Sequence, residues 1–461
     1  MKISLLLLLV QRFIHTSIAY PNVTLTDGNL AVNIYLPRSL TNGEQAYYES
    51  SRFEHGSMIG PIRMLKGRRR RLESADHSKV HSDVLYGNDM WRVPHDPYWP
   101  ESGVGLASEF GVGDDGDTCV FRCGWNGASN VINGVLGYDS ARHGESFLKI
   151  GVGELIKGSC AACDSTDGYK FNSPYYFAST PRWTMYQPSV GKLILEHEAH
   201  LREYGYKIRK DISLEDDTLL ITTTLTNFGN YPFSTVWYSH HFFSCDGQPI
   251  GPGYSVDLDV HTKTRRPGQI LYDEPGLASW SSQLRDYAHV SPQPDSVNLD
   301  FRRHVESGSR IKAEFTKDDD SHGSFTLRGC GTEIEEDILQ SSTVPPQGDI
   351  PMYGFNLYVE EGTLSPEPQV LIHLEPSHSK SWTQRLVFYD MNDSDGSWKS
   401  PESVALETAV LNIGAATGRR IRDGGIIFVL LITVVGSFAI MMVQRGSHRQ
   451  YMQLPEASLV V

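Results

Sequence analysis

Apolar and polar residues alternate along much of this chain with a period of two. The segment DTLLITTTLTNFG (217–229) interleaves leucine and isoleucine with threonine and closes on Asn-Phe-Gly. KLILEHEAHLREYGYKIRKDISL (192–214) reads as two strands joined by a turn at Glu203 to Gly205. FNLYVEEG (355–362), PQVLIHLEP (368–376) and TQRLVFYD (383–390) are further strand candidates, each bounded by Gly, Pro or Asp. Period two puts successive side chains on opposite faces of a sheet. Long stretches with a 3.6-residue apolar period are missing. Near-continuous strands from about Phe147 to Asp390 therefore predict an all-β sandwich or barrel. Three segments interrupt the pattern and read as loops or insertions. They are 63–100, with Lys66 and Arg68 to Arg71; 111–137, with GWNGASNVINGVLG; and 274–298, rich in Ser, Pro and Asp.

The two ends follow neither pattern. Residues 1–19 hold a lysine, a short apolar run from Leu5 to Val10 and the close Ser-Ile-Ala. This is the form of a secretory signal peptide, although Arg12 shortens the apolar core. Residues 424–443, GGIIFVLLITVVGSFAIMMV, carry no charge. A bilayer core asks about 20 such residues of a helix, and a buried helix is rarely apolar on every face. The expectation is a C-terminal transmembrane helix. Flanking charge leaves orientation open, with Arg419, Arg420 and Arg422 before the span and Arg445 and Arg449 after it. The signal peptide settles it as a single-pass type I protein of the secretory pathway or cell surface. A lumenal or extracellular domain spans 20–391, a stalk 392–423 and a cytosolic tail 444–461.

A formal net charge of −14 argues against nucleic acid as a partner. The six cysteines fit an oxidising compartment, and six allow fifteen pairings among which sequence cannot choose. Cys119, Cys123, Cys160 and Cys163 could instead supply four thiolates to zinc; disulfides are the favoured reading, and no metal is assigned. Sequons begin at Asn22 and Asn392, so both are expected on the surface. The run GRRRRL (67–72) is either a solvated basic loop or a processing site for an endoprotease that recognises paired basic residues.

Several blocks, in order, resemble the galactose mutarotase-like proteins, the aldose 1-epimerase superfamily. They are YYESSRFEHGSMIGPI (47–62), GLASEFGVG (105–113), FLKIGVGEL (147–155), YSHHFFSCDGQPIGPGY (238–254) and LSPEPQVLIHLEPSHSKSWTQRLVFY (364–389). The resemblance implies an antiparallel β-supersandwich with a sugar in a cleft on its concave face. It also implies mutarotation: a base takes the C1 hydroxyl proton while an acid protonates the ring oxygen, and the roles reverse on closure. No cofactor is needed for that.

By this resemblance His240 is the acid and Glu367 the base, with Glu375 the competing carboxylate. Strand alternation allows only one of His240 and His241 to face the cleft. The pair His240 and Glu367 is expected to approach a cavity from opposite sides, with room for one sugar ring. Arg52, Glu109 and Lys149 are the candidate substrate-binding residues. Glu109 departs from the family, whose active members carry a His-Gly-Gly segment there. Lys149 lies in a β run, where a lysine is more often solvent-exposed. The expected partner is a carbohydrate, an aldose or a glycan-linked sugar. A carbohydrate-binding ectodomain without turnover is the alternative.

Overall fold

The structure is a computed structural model. It describes residues 20–65, 85–87, 106–111, 134–161, 163, 168–170, 173–245, 248–259, 284–292, 296–306, 309, 311–315, 323–329, 331–340 and 352–390. The signal peptide, the basic run, Cys119, Cys123, Asn392, the stalk, the 424–443 span and the tail all lie outside these residues. Among the described residues no helix is long and apolar enough to cross a membrane.

Alternation governs what is seen. Strand Thr218–Asn227 buries every second residue, Leu219, Ile221, Thr223, Leu225 and Asn227, and turns Thr222, Thr224 and Thr226 to the other face. It pairs with Tyr204–Glu215 on one side and Ser379–Asp390 on the other. The turn expected at Glu203 to Gly205 falls one residue earlier, at 202–203, with Arg202 at φ 55° and Tyr204 already paired with Leu201. Among the described residues every strand pairing is antiparallel, and the strands form two ten-stranded sheets and a three-stranded one.

The first sheet runs Asn22–Thr26, Leu30–Tyr35, Met58–Met64, Leu106–Phe110, Phe233–His241, Thr363–Leu374. From Thr363–Leu374 it continues both to Phe243–Cys245 and to Met352–Glu360. The second is centred on Thr332–Gln340, Ser379–Asp390, Thr218–Asn227 and Tyr204–Glu215. Their inner faces meet through large side chains. The Trp237 and Trp382 rings lie 5.2 Å apart, and Phe243 meets Phe325 edge-on. Both tryptophans are fully buried.

Three further sequence expectations change. Strands begin before Phe147, at Asn22–Thr26, Leu30–Tyr35, Met58–Met64 and Leu106–Phe110. The segment 274–298 contains a helical turn at 284–287 and the strand Ala288–Pro292. The strand expected at 368–376 starts earlier and runs Thr363–Leu374, with Pro366 and Pro368 inside it. Proline tolerates a strand only where no ladder N–H is called for, and such a place exists here. The pairing of Thr363–Leu374 with Phe233–His241 stops at Gln369 opposite Tyr238, and resumes only at Leu364 opposite Phe243.

The first sheet is covered on its outer face as well. Tyr47, Tyr48, Phe53, Met58, Ala107, Phe242 and Tyr358 form a separate apolar cluster there. The segment before Met58–Met64, which carries Arg52, packs into this layer.

Candidate functional site

The site lies at the gap in the ladder. On Phe233–His241, Tyr238 and His240 share the outer face while Trp237 and His241 share the inner one. His240 sits in the outer aromatic layer, stacked on Phe242 with ring centroids 4.4 Å apart and edge-on to Phe53 at 5.1 Å. His241 points between the sheets and meets Gln384 at 2.9 Å. The adjacent histidines thus serve two separate environments.

Glu367 and Ser365 are two residues apart on Thr363–Leu374, so both project to the same face. Glu367 Oε1 is 3.3 Å from His240 Nε2, with both side chains about nineteen-twentieths buried, 6% and 5% exposed. Arg52 Nη2 lies 3.3 Å from the same nitrogen. Ser365 Oγ lies 3.2 Å from His240 Nδ1 and 3.3 Å from Glu367 Oε1. His240 and Glu367 therefore come together on one face. They touch directly, which is closer than the ring-wide spacing expected from the sequence. At that distance there is no room for a ring between them.

Behind Arg52 is a second charged group. Glu109 Oε2 accepts from Arg52 Nε at 3.2 Å and from the Tyr238 hydroxyl at 2.7 Å, and its Oε1 faces Lys149 Nζ at 3.5 Å. Tyr238 and Glu109 are cross-strand neighbours, which explains their contact. Lys149 Nζ also donates to the Arg52 carbonyl at 2.6 Å, and the Tyr48 hydroxyl accepts from the backbone N–H groups of Arg52 and Phe53. Burial works against the charge on Arg52, but Glu109, with Tyr238, Tyr48 and Glu367, outweighs it and holds the guanidinium above its ordinary pKa. Burial, helped by the Glu109 charge, pushes the Tyr238 phenol well above its usual value, so it remains a donor. Lys149 ends the strand Ser146–Lys149, and the following turn carries Gly151 at φ +80°, a conformation that glycine adopts without strain. A Cβ at Gly151 would also lie 2.8 Å from Glu54 Cγ.

Of the five site residues named from sequence, all five join this one network. Arg52, His240 and Glu367 line its outer part. Glu109 and Lys149 are fully buried, with 0% side-chain exposure, so Lys149 is not the solvent-facing lysine of a typical strand. Glu375, the competing carboxylate, is 57% exposed and bonds His373. Cys160 and Cys163 are joined in a disulfide, which removes this pair from the zinc alternative, and Cys245 is disulfide-bonded too. Among the described residues no cluster of His, Cys, Asp and Glu could hold a metal ion. Asn22 is exposed. Ser365 and Tyr238 were missed from sequence. Each lies two residues before a named residue, and that period-two spacing was the available signal.

No protein family matches the sequence, and neither does any curated protein. Similar solved structures include a protein from Synechocystis sp. PCC 6803, with 11% identity, TM-score 0.40 and coverage of 81% of this chain and 96% of that one. A galactose mutarotase related enzyme from Lactobacillus acidophilus shows 9% identity and TM-score 0.38, covering 81% and 99%. A galactose mutarotase-like protein from Clostridium acetobutylicum shows 10% identity and TM-score 0.39, covering 80% and 95%.

Proposed function

We propose that this chain binds an aldose, or a sugar at the end of a glycan, and interconverts its anomers by acid/base ring opening. The observation that carries the reading is the meeting of His240 Nε2, Glu367 Oε1 and Arg52 Nη2 at 3.3 Å in a layer walled by aromatic rings. A carboxylate and an imidazole together supply the two proton transfers that the reaction requires near neutral pH.

The ring seats against the pair and parts it. Glu367 takes the proton from the C1 hydroxyl. His240 in its protonated form delivers the Nε2 proton to the ring oxygen, the bond from C1 to that oxygen breaks, and C1 becomes an aldehyde. After rotation about C1–C2, the freed hydroxyl attacks the other face of C1. Its proton returns to His240 Nε2, and Glu367 returns its own to the new C1 oxygen. Both groups end as they began. Arg52, which can only donate hydrogen bonds, faces the nitrogen that gives up the proton and holds a substrate oxygen beside it. Glu109 and Lys149 act through Arg52, fixing its guanidinium and its backbone.

In this reading residues 1–19 direct secretion, the site faces the lumen or the outside, and residues 424–443 anchor it. The Cys160–Cys163 disulfide and the exposed sequon at Asn22 support that placement.

Polarimetry of freshly dissolved aldoses with the purified full chain is the test. The expected result is equilibration faster than the spontaneous rate for at least one sugar, reduced roughly 100-fold or more in His240→Ala and Glu367→Gln. No acceleration for any sugar in the panel would overturn turnover. Glycan-array binding in that event would leave carbohydrate recognition alone.

A further inference from the structure

Ser365 touches both members of the acid/base pair, and its chemistry constrains their protons. A serine hydroxyl has one proton to give and lone pairs to receive. Ser365 Oγ is placed to donate to Glu367 Oε1 at 3.3 Å, and its other contact is His240 Nδ1 at 3.2 Å. With its proton committed to the carboxylate, the hydroxyl meets Nδ1 as an acceptor, so Nδ1 carries a hydrogen. The opposite ring nitrogen has a partner in either state. Nε2 lies 3.3 Å from both Arg52 Nη2, which can only donate, and Glu367 Oε1, which as a carboxylate can only accept, so it accepts from Arg52 in the neutral ring and donates to Glu367 when protonated. The Ser365 contact at Nδ1 is therefore the one that selects the tautomer.

We infer that Ser365 is a positioning residue that holds His240 as the Nδ1–H tautomer and makes Nε2 the nitrogen that exchanges protons. The relay runs from Nδ1–H to Ser365 Oγ and from Ser365 O–H to Glu367 Oε1. It persists when His240 is protonated, because Nδ1–H is present in both forms and only the Nε2 proton comes and goes. Ser365 is fully buried and sits on a strand, two residues from Glu367, so one backbone segment orients both the hydroxyl and the carboxylate. Its catalytic consequence rests on the mutarotation reading above; the tautomer itself does not.

The experiment is therefore double. Full-length chain carrying 15N-labelled histidine rings is examined by long-range 1H–15N correlation, with the His240 signals identified by their loss in His240→Gln. At a pH where the ring is neutral, the expected pattern is a protonated Nδ1 and an unprotonated Nε2. A wild-type ring with Nε2–H overturns the inference without need of any further variant. In Ser365→Ala the Nδ1–H form is expected to lose its dominance, and in Ser365→Thr, which keeps the hydroxyl, to retain it. An unchanged tautomer in Ser365→Ala also overturns the inference. The kinetic arm, run by polarimetry, expects kcat to fall tenfold or more in Ser365→Ala with KM within about twofold, and partial recovery in Ser365→Thr. An equal kcat in Ser365→Ala overturns the positioning role. If the wild type accelerates no aldose, the mutarotase reading fails while the ring spectrum still decides the tautomer.

Discussion

At His241 the chain places an imidazole where water does not reach. Its Nε2 meets the Gln384 amide at 2.9 Å, and that amide also donates to Glu336 Oε1 at 3.3 Å. Burial drives His241 down to about 3 and Glu336 up to about 8, so both are neutral at pH 7. These shifts have opposite consequences for stability. Glu336 rises from an ordinary 4.5, so between 4.5 and about 8 the folded chain holds a proton that the unfolded chain has lost. Its contribution is complete below 4.5 and disappears as pH rises through 8. His241 falls from 6.5 to about 3, so its contribution is complete above 6.5 and is lost as pH drops toward 3. Glu336→Gln removes only the first dependence. Relative to wild type, the variant should gain close to tenfold in its folding constant per pH unit between 4.5 and 8. Urea unfolding of both proteins at about pH 5 and pH 7.5 checks this; parallel pH dependence would remove Glu336 as the titrating group.

At the scale of a strand, alternation decides which residues can cooperate. It separates His240 from His241 and joins Tyr238 to His240 and Ser365 to Glu367. The same rule builds the outer face of the second sheet. Thr222, Thr224 and Thr226 pair their hydroxyls with Thr383, Ser381 and Ser379 at 2.8, 2.7 and 2.7 Å. Such cross-strand pairs contribute about 0.2–1 kcal/mol each. A double-mutant cycle on Thr224→Val and Ser381→Ala should give a coupling in that range, read from chemical denaturation; zero coupling would mean that water replaces the contact fully. The strands were legible because one face of each is buried and the period is strict. Leu106–Phe110 was less so, since all five residues are buried and the alternation disappears. The start of Thr363–Leu374 was hidden because prolines mark a strand boundary locally, whereas here Pro366 and Pro368 lie at a break in the pairing with Phe233–His241.

Across the whole molecule the two large sheets are joined by a core that is not wholly apolar. Lys210, on the second sheet, meets Glu54, from the segment leading into Met58–Met64, at 2.8 Å with no exposure of either side chain. Burial lowers Lys210 and raises Glu54, and each charge counters the shift of the other. Removing one member leaves a buried charge uncompensated. Lys210→Met should therefore cost about 3–5 kcal/mol, while the pair Lys210→Met with Glu54→Leu should recover most of it. Unfolding midpoints in urea test both; a double variant as weak as the single would show that packing, not charge, dominates. Glu54 lies two residues from Arg52 and donates its backbone N–H to Ser108, next to Glu109. The ion pair thus also secures the segment that brings Arg52 to His240.

The sequence by itself determined the strand class and the separation of the paired histidines, because these depend on local periodicity. Tertiary structure decided the rest. It brought Glu367 rather than Glu375 against His240, buried Glu109 and Lys149 beside Arg52, and set Ser365 between His240 and Glu367. These outcomes depend on which strands become neighbours across more than a hundred residues, and on how much water their packing leaves. A charge's role follows from that surrounding, and no residue carries it in its letter.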